Sequence, residues 1–290
     1  MKNSQYDIIE AEEGFGKCLV LTSVCHEGLE DFVRKENISI LRLSESMGWK
    51  ANNIEFLDKL HSTSLRGVEI YSWRVKDITP LSFLPNLEFI GLQCEFTQAP
   101  VFSDFENLSH LQLLWRPKAK SVFACEKIEK LNIVNFPEVD LSSLNMMSNL
   151  TTLQLTFKKL ESLDGIKHLK TLIELDIADC SKLKNLSALE NLANLEILRI
   201  NSCKSIDEIP DLSKLFALKD FALDNCGNVK SLEALKYCRN IKTISFTGNT
   251  RIEDGNLDFF LGLERLIDAK FMDHKHYSIP RDKITYKTQL

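Results

Sequence analysis

One spacing governs this sequence. An aliphatic or aromatic residue recurs at Leu21, Leu43, Ile70, Leu92, Leu113, Ile133, Leu155, Ile177, Ile200, Leu223, Phe246 and Phe271. The intervals are 22, 27, 22, 21, 20, 22, 22, 23, 23, 23 and 25 residues. A second apolar residue stands two positions before each anchor, from Leu19 to Ala269. An aliphatic residue stands five positions before, except in the first unit, where Gly16 takes that place. Apolar residues therefore fill 35 of 36 framework positions in a chain that is 44% hydrophobic. Composition alone would give about 16, so the period is a property of the fold.

The clearest units read LIELDIADC (Leu172–Cys180), LEILRINSC (Leu195–Cys203) and LKDFALDNC (Leu218–Cys226). Alternate residues of a strand point to opposite faces, so the two apolar residues of L-x-L face one way and the residue between them faces the other. One such unit cannot bury its own apolar side. Stacking units about 4.8 Å apart gives a parallel sheet over one continuous core. Between strands, runs such as Leu160-Leu163-Ile166-Leu169 and Leu183-Leu186-Leu189-Leu192 predict compact return segments, short 3₁₀ or α turns.

This pattern resembles that of leucine-rich repeat proteins over roughly residues 16–273, and its spacing resembles the 22-residue internalin-like bacterial subclass. The resemblance implies an α/β solenoid: an arc with a parallel β-sheet on the concave face and short helical, 3₁₀ or extended convex segments. It is read as a single solenoid over 1–290, with an N-terminal cap at 1–37, repeats over 38–273 and a C-terminal cap or tail at 274–290. In the first cap, Leu29, Phe32 and Val33 have helical spacing. The long interval between Leu43 and Ile70 allows a longer helix with Ile54, Leu57 and Leu60 on one face. At the other end FMDHKHYSIPRDK leaves the repeat and reads as a polar cap.

Charge and cysteine content narrow the functions. With 36 Lys+Arg against 41 Asp+Glu, the net charge is -5, unsuited to general binding of nucleic acid or anionic membrane. No apolar run reaches the roughly 20 residues of a membrane span. Glu10, Glu12 and Glu13 interrupt any secretory h-region. Internalins carry secretion signals and wall anchors; with neither found here, a surface-adhesin role is not carried over. Eight cysteines are too few for a disulfide scaffold, so a reducing cytoplasm is expected.

Chemical motifs are weak. Cys180, Cys203 and Cys226 read as inward space-fillers at the strand ends, with Asn249 taking that place in the next unit. His274 and His276 are two ligands, too few for a structural metal. GFGK at 14–17 lacks the spacing of a phosphate loop. No catalytic residue, cofactor or metal site is expected.

The variable outward positions carry the functional reading. On the concave face these are Arg42, Glu69, Tyr71, Phe89, Gln93, His110, Gln112, Leu114, Lys130, Asn132 and Val134 in the earlier units. Glu174, Asp176, Asp179, Arg199, Asp220 and Asp224 follow in the later ones. Tyr71, Phe89, Leu114 and Val134 are candidate hot spots for a protein partner. The later acidic set suits a basic partner. Trp115 reads either as an anchor for a ligand or, with Cys94 and Phe157, as an inward plug where the turn is one residue shorter. Three readings follow: a non-catalytic protein-recognition scaffold, a cytoplasmic immunity or antitoxin protein that neutralises a toxin, and a targeting arm of an enzyme. The last is disfavoured because about 17 residues follow the last strand, too few for a domain.

Overall fold

The computed structural model describes residues 6–11, 14–23, 28–284 and 286. It divides into two compact units, Met1–Ile133 and Val134–Leu290.

In the first unit the strands are β1 (Tyr6–Glu10), β2 (Lys17–Leu21), β3 (Ile38–Ser44), β4 (Gly67–Tyr71), β5 (Phe89–Leu92) and β6 (His110–Leu114), with β7 (Lys130–Val134) at the boundary. β1 runs antiparallel to β2, Tyr6 opposite Leu21 and Glu10 opposite Lys17. From β2 onward the pairing is parallel and keeps like positions adjacent: Leu43 beside Ile70, Ile70 beside Leu92, Leu92 beside Leu113. The helix α1 (Leu29–Glu36) links β2 to β3 and buries Val33.

The second unit holds β8 (Thr152–Thr156), β9 (Glu174–Ala178), β10 (Ile197–Asn201), β11 (Asp220–Asp224), β13 (Thr243–Phe246) and β15 (Asp268–Phe271) in one parallel sheet. The two-residue strands β12 (Asn228–Val229) and β14 (Arg251–Ile252) pair with each other. Registers again stack the anchors, Ile177 beside Ile200 and Ile200 beside Leu223.

All 35 apolar framework residues are buried. The period-three runs become 3₁₀ turns such as Ser187–Asn191, Glu233–Tyr237 and Asp258–Gly262. A 3₁₀ helix has three residues per turn, so positions i and i+3 eclipse and a Leu-x-x-Leu run presents one apolar edge. Leu160, Leu163, Ile166 and Leu169 are fully buried, the last two at the 3₁₀ turn Ile166–His168. Short polar side chains precede these turns: Asn185 Oδ1 accepts from Ser187 N (3.0 Å), and Asn256 Oδ1 from Asp258 N (3.2 Å).

Three expectations are corrected. The interval after Leu43 holds a six-residue 3₁₀ turn, Glu55–Leu60, rather than a longer helix, although Ile54, Leu57 and Leu60 are buried as a set. Asn249 is exposed, and Thr250 takes the inward place instead. Thr250 Oγ1 donates to Leu223 O (2.8 Å) and accepts from Cys226 N (2.9 Å). The turn there has one residue more, with Gly248 in the left-handed region. The C-terminal cap is not merely polar: Tyr277, Ile279 and Ile284 are buried, and Tyr277 meets Phe246 and Phe271 edge-on.

Candidate protein-binding face

The outward face of the first unit folds a second, smaller core. Cys18, Val20 and Ile40 occupy outward strand positions yet are buried, because the loop after β1 lays Phe15 over them. Ile9, Ala11 and Phe89 close the edges. Phe15 stacks on Phe89 (5.6 Å between centroids), meets His110 edge-on (5.3 Å) and lies under the Arg66 guanidinium (5.0 Å). The GFGK segment is thus the loop that seats an aromatic plug, and Lys17 Nζ donates to Glu36 O (3.0 Å).

Beside this plug lies a buried ion pair. Glu69 accepts a two-point contact from Arg42, through Nε to Oε2 and NH2 to Oε1 (3.0 Å). Tyr71 OH donates to the same carboxylate (2.9 Å), and the Arg42 guanidinium packs over the Tyr71 ring at 5.7 Å. Glu69 is therefore buried, not the solvent-facing residue its position implied. Gly91 makes room for this arrangement, since a Cβ there would stand 3.1 Å from Tyr71 OH and 3.2 Å from Glu69 Cγ. The Cys18 thiol is pushed up to about 12, first by burial and then by the Glu69 charge beside it.

Of the four expected hot spots none is strongly exposed. Tyr71, Phe89, Leu114 and Val134 are all half-buried, the first two held by Glu69 and Phe15. Gln112, Lys130 and Asn132 are half-buried, and Gln93 is exposed. Cys94 is fully buried, as the short-turn reading requires. Trp115 and Phe157 reach only a half-buried state, and Trp115 stacks on Phe123 at 5.1 Å.

The outward face of the second unit is polar and half-exposed along β8 to β11. The register Gln154–Asp176–Arg199–Ala222–Ser245 runs across five strands. Arg199 bridges its diagonal neighbours, Glu174 (3.0 Å) and Asp220 (2.8 Å). Asp220 also accepts from Thr243 Oγ1 (2.7 Å). Asp224 accepts from Ser245 Oγ (2.9 Å) and from Thr247 N and Oγ1 (2.6 Å each). Asp176 differs: among the described residues it takes no hydrogen bond and no ion pair. Partial burial raises its pKa above the usual Asp range, and the Arg199 charge only partly opposes this.

Asp179 serves the turn. It is exposed but holds a left-handed conformation (φ 55°), as do Ser202 (58°) and Asn225 (55°) in the next two units. Each directly precedes an inward cysteine, and its N–H bonds to the following repeat, Asp179 N to Asn201 O at 3.0 Å. Asp179 and Asn225 before the cysteine were the available signal, since Asp and Asn tolerate that conformation, whereas Ser202 carries no such mark. The thiols of Cys180, Cys203 and Cys226 donate back to Ala178 O (3.3 Å), Asn201 O (3.3 Å) and Asp224 O (3.2 Å). Burial pushes Cys226 up to about 11, so this thiol stays neutral. His276 Nε2 bonds to Ile252 O (2.9 Å), and His274 lies edge-on to Tyr277. Among the described residues no group of three metal-ligating side chains converges, and no helix is long and apolar enough to cross a membrane.

Comparison with solved structures places this geometry. An internalin, InlF of Listeria monocytogenes, matches 83% of this chain and 84% of its own, at 17% identity and a TM-score of 0.51. A leucine-rich repeat protein of Leptospira interrogans matches 82% of this chain and 73% of its own, at 15% identity and a TM-score of 0.55. The chain has an internalin-like leucine-rich repeat fold. No protein-family model matches the sequence, and no curated protein does.

Proposed function

We propose that this chain is a non-catalytic protein-recognition scaffold whose partner docks on the outward sheet face of the second unit and offers a basic side chain to Asp176. The carrying observation is Asp176 itself. A half-buried carboxylate without hydrogen bond or ion pair works against folding, whereas its neighbours Glu174, Asp220 and Asp224 are all satisfied within the chain. A cation from a partner would meet this demand. The leucine-rich repeat fold supports the reading, because it presents a rigid sheet with variable side chains at fixed spacing. A stable complex would bury about 1,600 Å² in total.

The test is co-purification from the native cell, comparing the wild-type chain with Asp176→Arg and with Asp176→Asn. Loss of the same co-purifying protein in both variants is expected. An unchanged set of captured proteins would refute this face as the docking site.

A further inference from the structure

The two ends of the sheets are finished differently. At the C-terminal end, the chain returns over β15: Ala269 N donates to Tyr286 OH (3.2 Å), and Tyr277, Ile279 and Ile284 are buried there. At the N-terminal end, β1 stands first in its sheet. One edge pairs with β2, and the other meets no strand among the described residues. Its side chains are also uncovered, with Tyr6 41% and Ile8 39% exposed. Tyr6 lies 4.6 Å from Phe32 of α1, which extends the apolar surface beside the edge. An unpaired strand edge with exposed apolar side chains is a template for another strand.

We infer that β1 pairs with β1 of a second copy of this chain, antiparallel about a two-fold axis at Ile8. The sequence Tyr6-Asp7-Ile8-Ile9-Glu10 is self-complementary in this arrangement. The antiparallel register that pairs all five residues sets Ile8 against Ile8, Tyr6 against Glu10 and Asp7 against Ile9. No acid then opposes an acid, which would destabilise a cross-strand pair. Sliding by one pair to set Tyr6 against Ile8 would bring Asp7 against Asp7. Sliding the other way, to set Ile9 against Ile9, opposes no acids but pairs only three of the five residues, so full pairing together with charge favours the register about Ile8, and a two-fold axis closes the assembly as a dimer. This inference does not rest on the docking face of the second unit.

Sedimentation velocity over a two-decade concentration range tests it. A reversible shift from monomer to dimer is expected for the wild type, and Ile8→Lys, which sets two lysines face to face, stays monomeric. Ile8 is exposed, and a melt followed by circular dichroism verifies that the variant folds. Cysteine pairs then read the register in a Cys25→Ser background. Directly opposed Cα atoms lie about 4.5–5.5 Å apart, within disulfide range. Ile8→Cys should therefore cross-link two chains on diamide oxidation. Tyr6→Cys should not, because the two copies of residue 6 lie roughly 13 Å apart along the strands. The described cysteines are all buried. A monomer at every concentration, a dimer that survives Ile8→Lys, absence of the Ile8→Cys cross-link, or equal linking through Tyr6→Cys would each overturn the proposal.

Discussion

Replacing Arg42 by Met isolates what the buried pair contributes. The Glu69 side chain is 5% exposed and that of Arg42 17%, so the carboxylate depends on its partner more than the guanidinium does. Met keeps much of the stem's packing and removes the charge. The stranded Glu69 retains the Tyr71 hydroxyl but loses both guanidinium contacts. Breaking a buried pair from one side costs about 3–5 kcal/mol. Glu69→Leu should cost less, about 1–2 kcal/mol, because Arg42 can turn its head toward water. Arg42→Met with Glu69→Leu should recover most of the larger loss, a coupling of at least about 1.5 kcal/mol. Repeats of a solenoid need not unfold together, so the local readout is amide exchange at β3 and β4. A loss of 3 kcal/mol corresponds to protection falling by about 100-fold or more. Equal costs for the two single variants, or additive costs in the double, would refute the argument from unequal burial.

Three further predictions follow from other sites. Gly165→Ala should destabilise by about 2–4 kcal/mol in urea unfolding, since Gly165 has φ 107° and a Cβ would stand 2.3 Å from the Leu141 carbonyl; a wild-type midpoint would contradict the turn geometry. Asp179→Val should cost about 1–2 kcal/mol from left-handed strain while Asp179→Gly stays near neutral, and neither order would hold if this residue acted only through its charge. Asp176→Asn should raise the melting temperature at neutral pH. A raised folded-state pKa favours the protonated form, so the wild-type carboxylate's penalty is absent below the usual Asp range and sets in as pH rises through the folded pKa. The gain from Asn should therefore vanish in acid, and a gain independent of pH would point to packing instead.

The framework was legible because each anchor sits in nearly the same surroundings as its neighbours one repeat away. Leu175, Leu198 and Phe221 stack in one row, so a single period reports on all of them. The outward row was legible in position but not in role. Arg42 beside Glu69, and Arg199 near Asp220, are opposite charges on neighbouring repeats, a signal that becomes readable once the strands are in register. The 3₁₀ turns followed from period three. The Thr250 substitution for Asn249 did not, because one added turn residue moves the inward position without disturbing the apolar pattern. The ends were least legible. Phe15, Tyr277 and Tyr286 act through contacts made once, and no repetition marks them.

Phe15 and Asp176 show that outward strand positions answer to two different physical demands. Near a chain end, an outward apolar row such as Cys18, Val20 and Ile40 would expose the sheet to water, and the nearest remedy is the chain's own terminal segment. Burial of Phe15 with that row is worth roughly 2 kcal/mol or more, so evolution of stability alone explains the aromatic plug. No such gain explains Asp176. Its desolvation disfavours the charged form, and no side chain of the described residues compensates with a hydrogen bond. A residue that weakens the fold at a surface position is better accounted for by what it does in a complex than by what it does alone. The polar face of the second unit is therefore the stronger candidate for recognition, although the apolar face of the first has the residues usually taken as anchors.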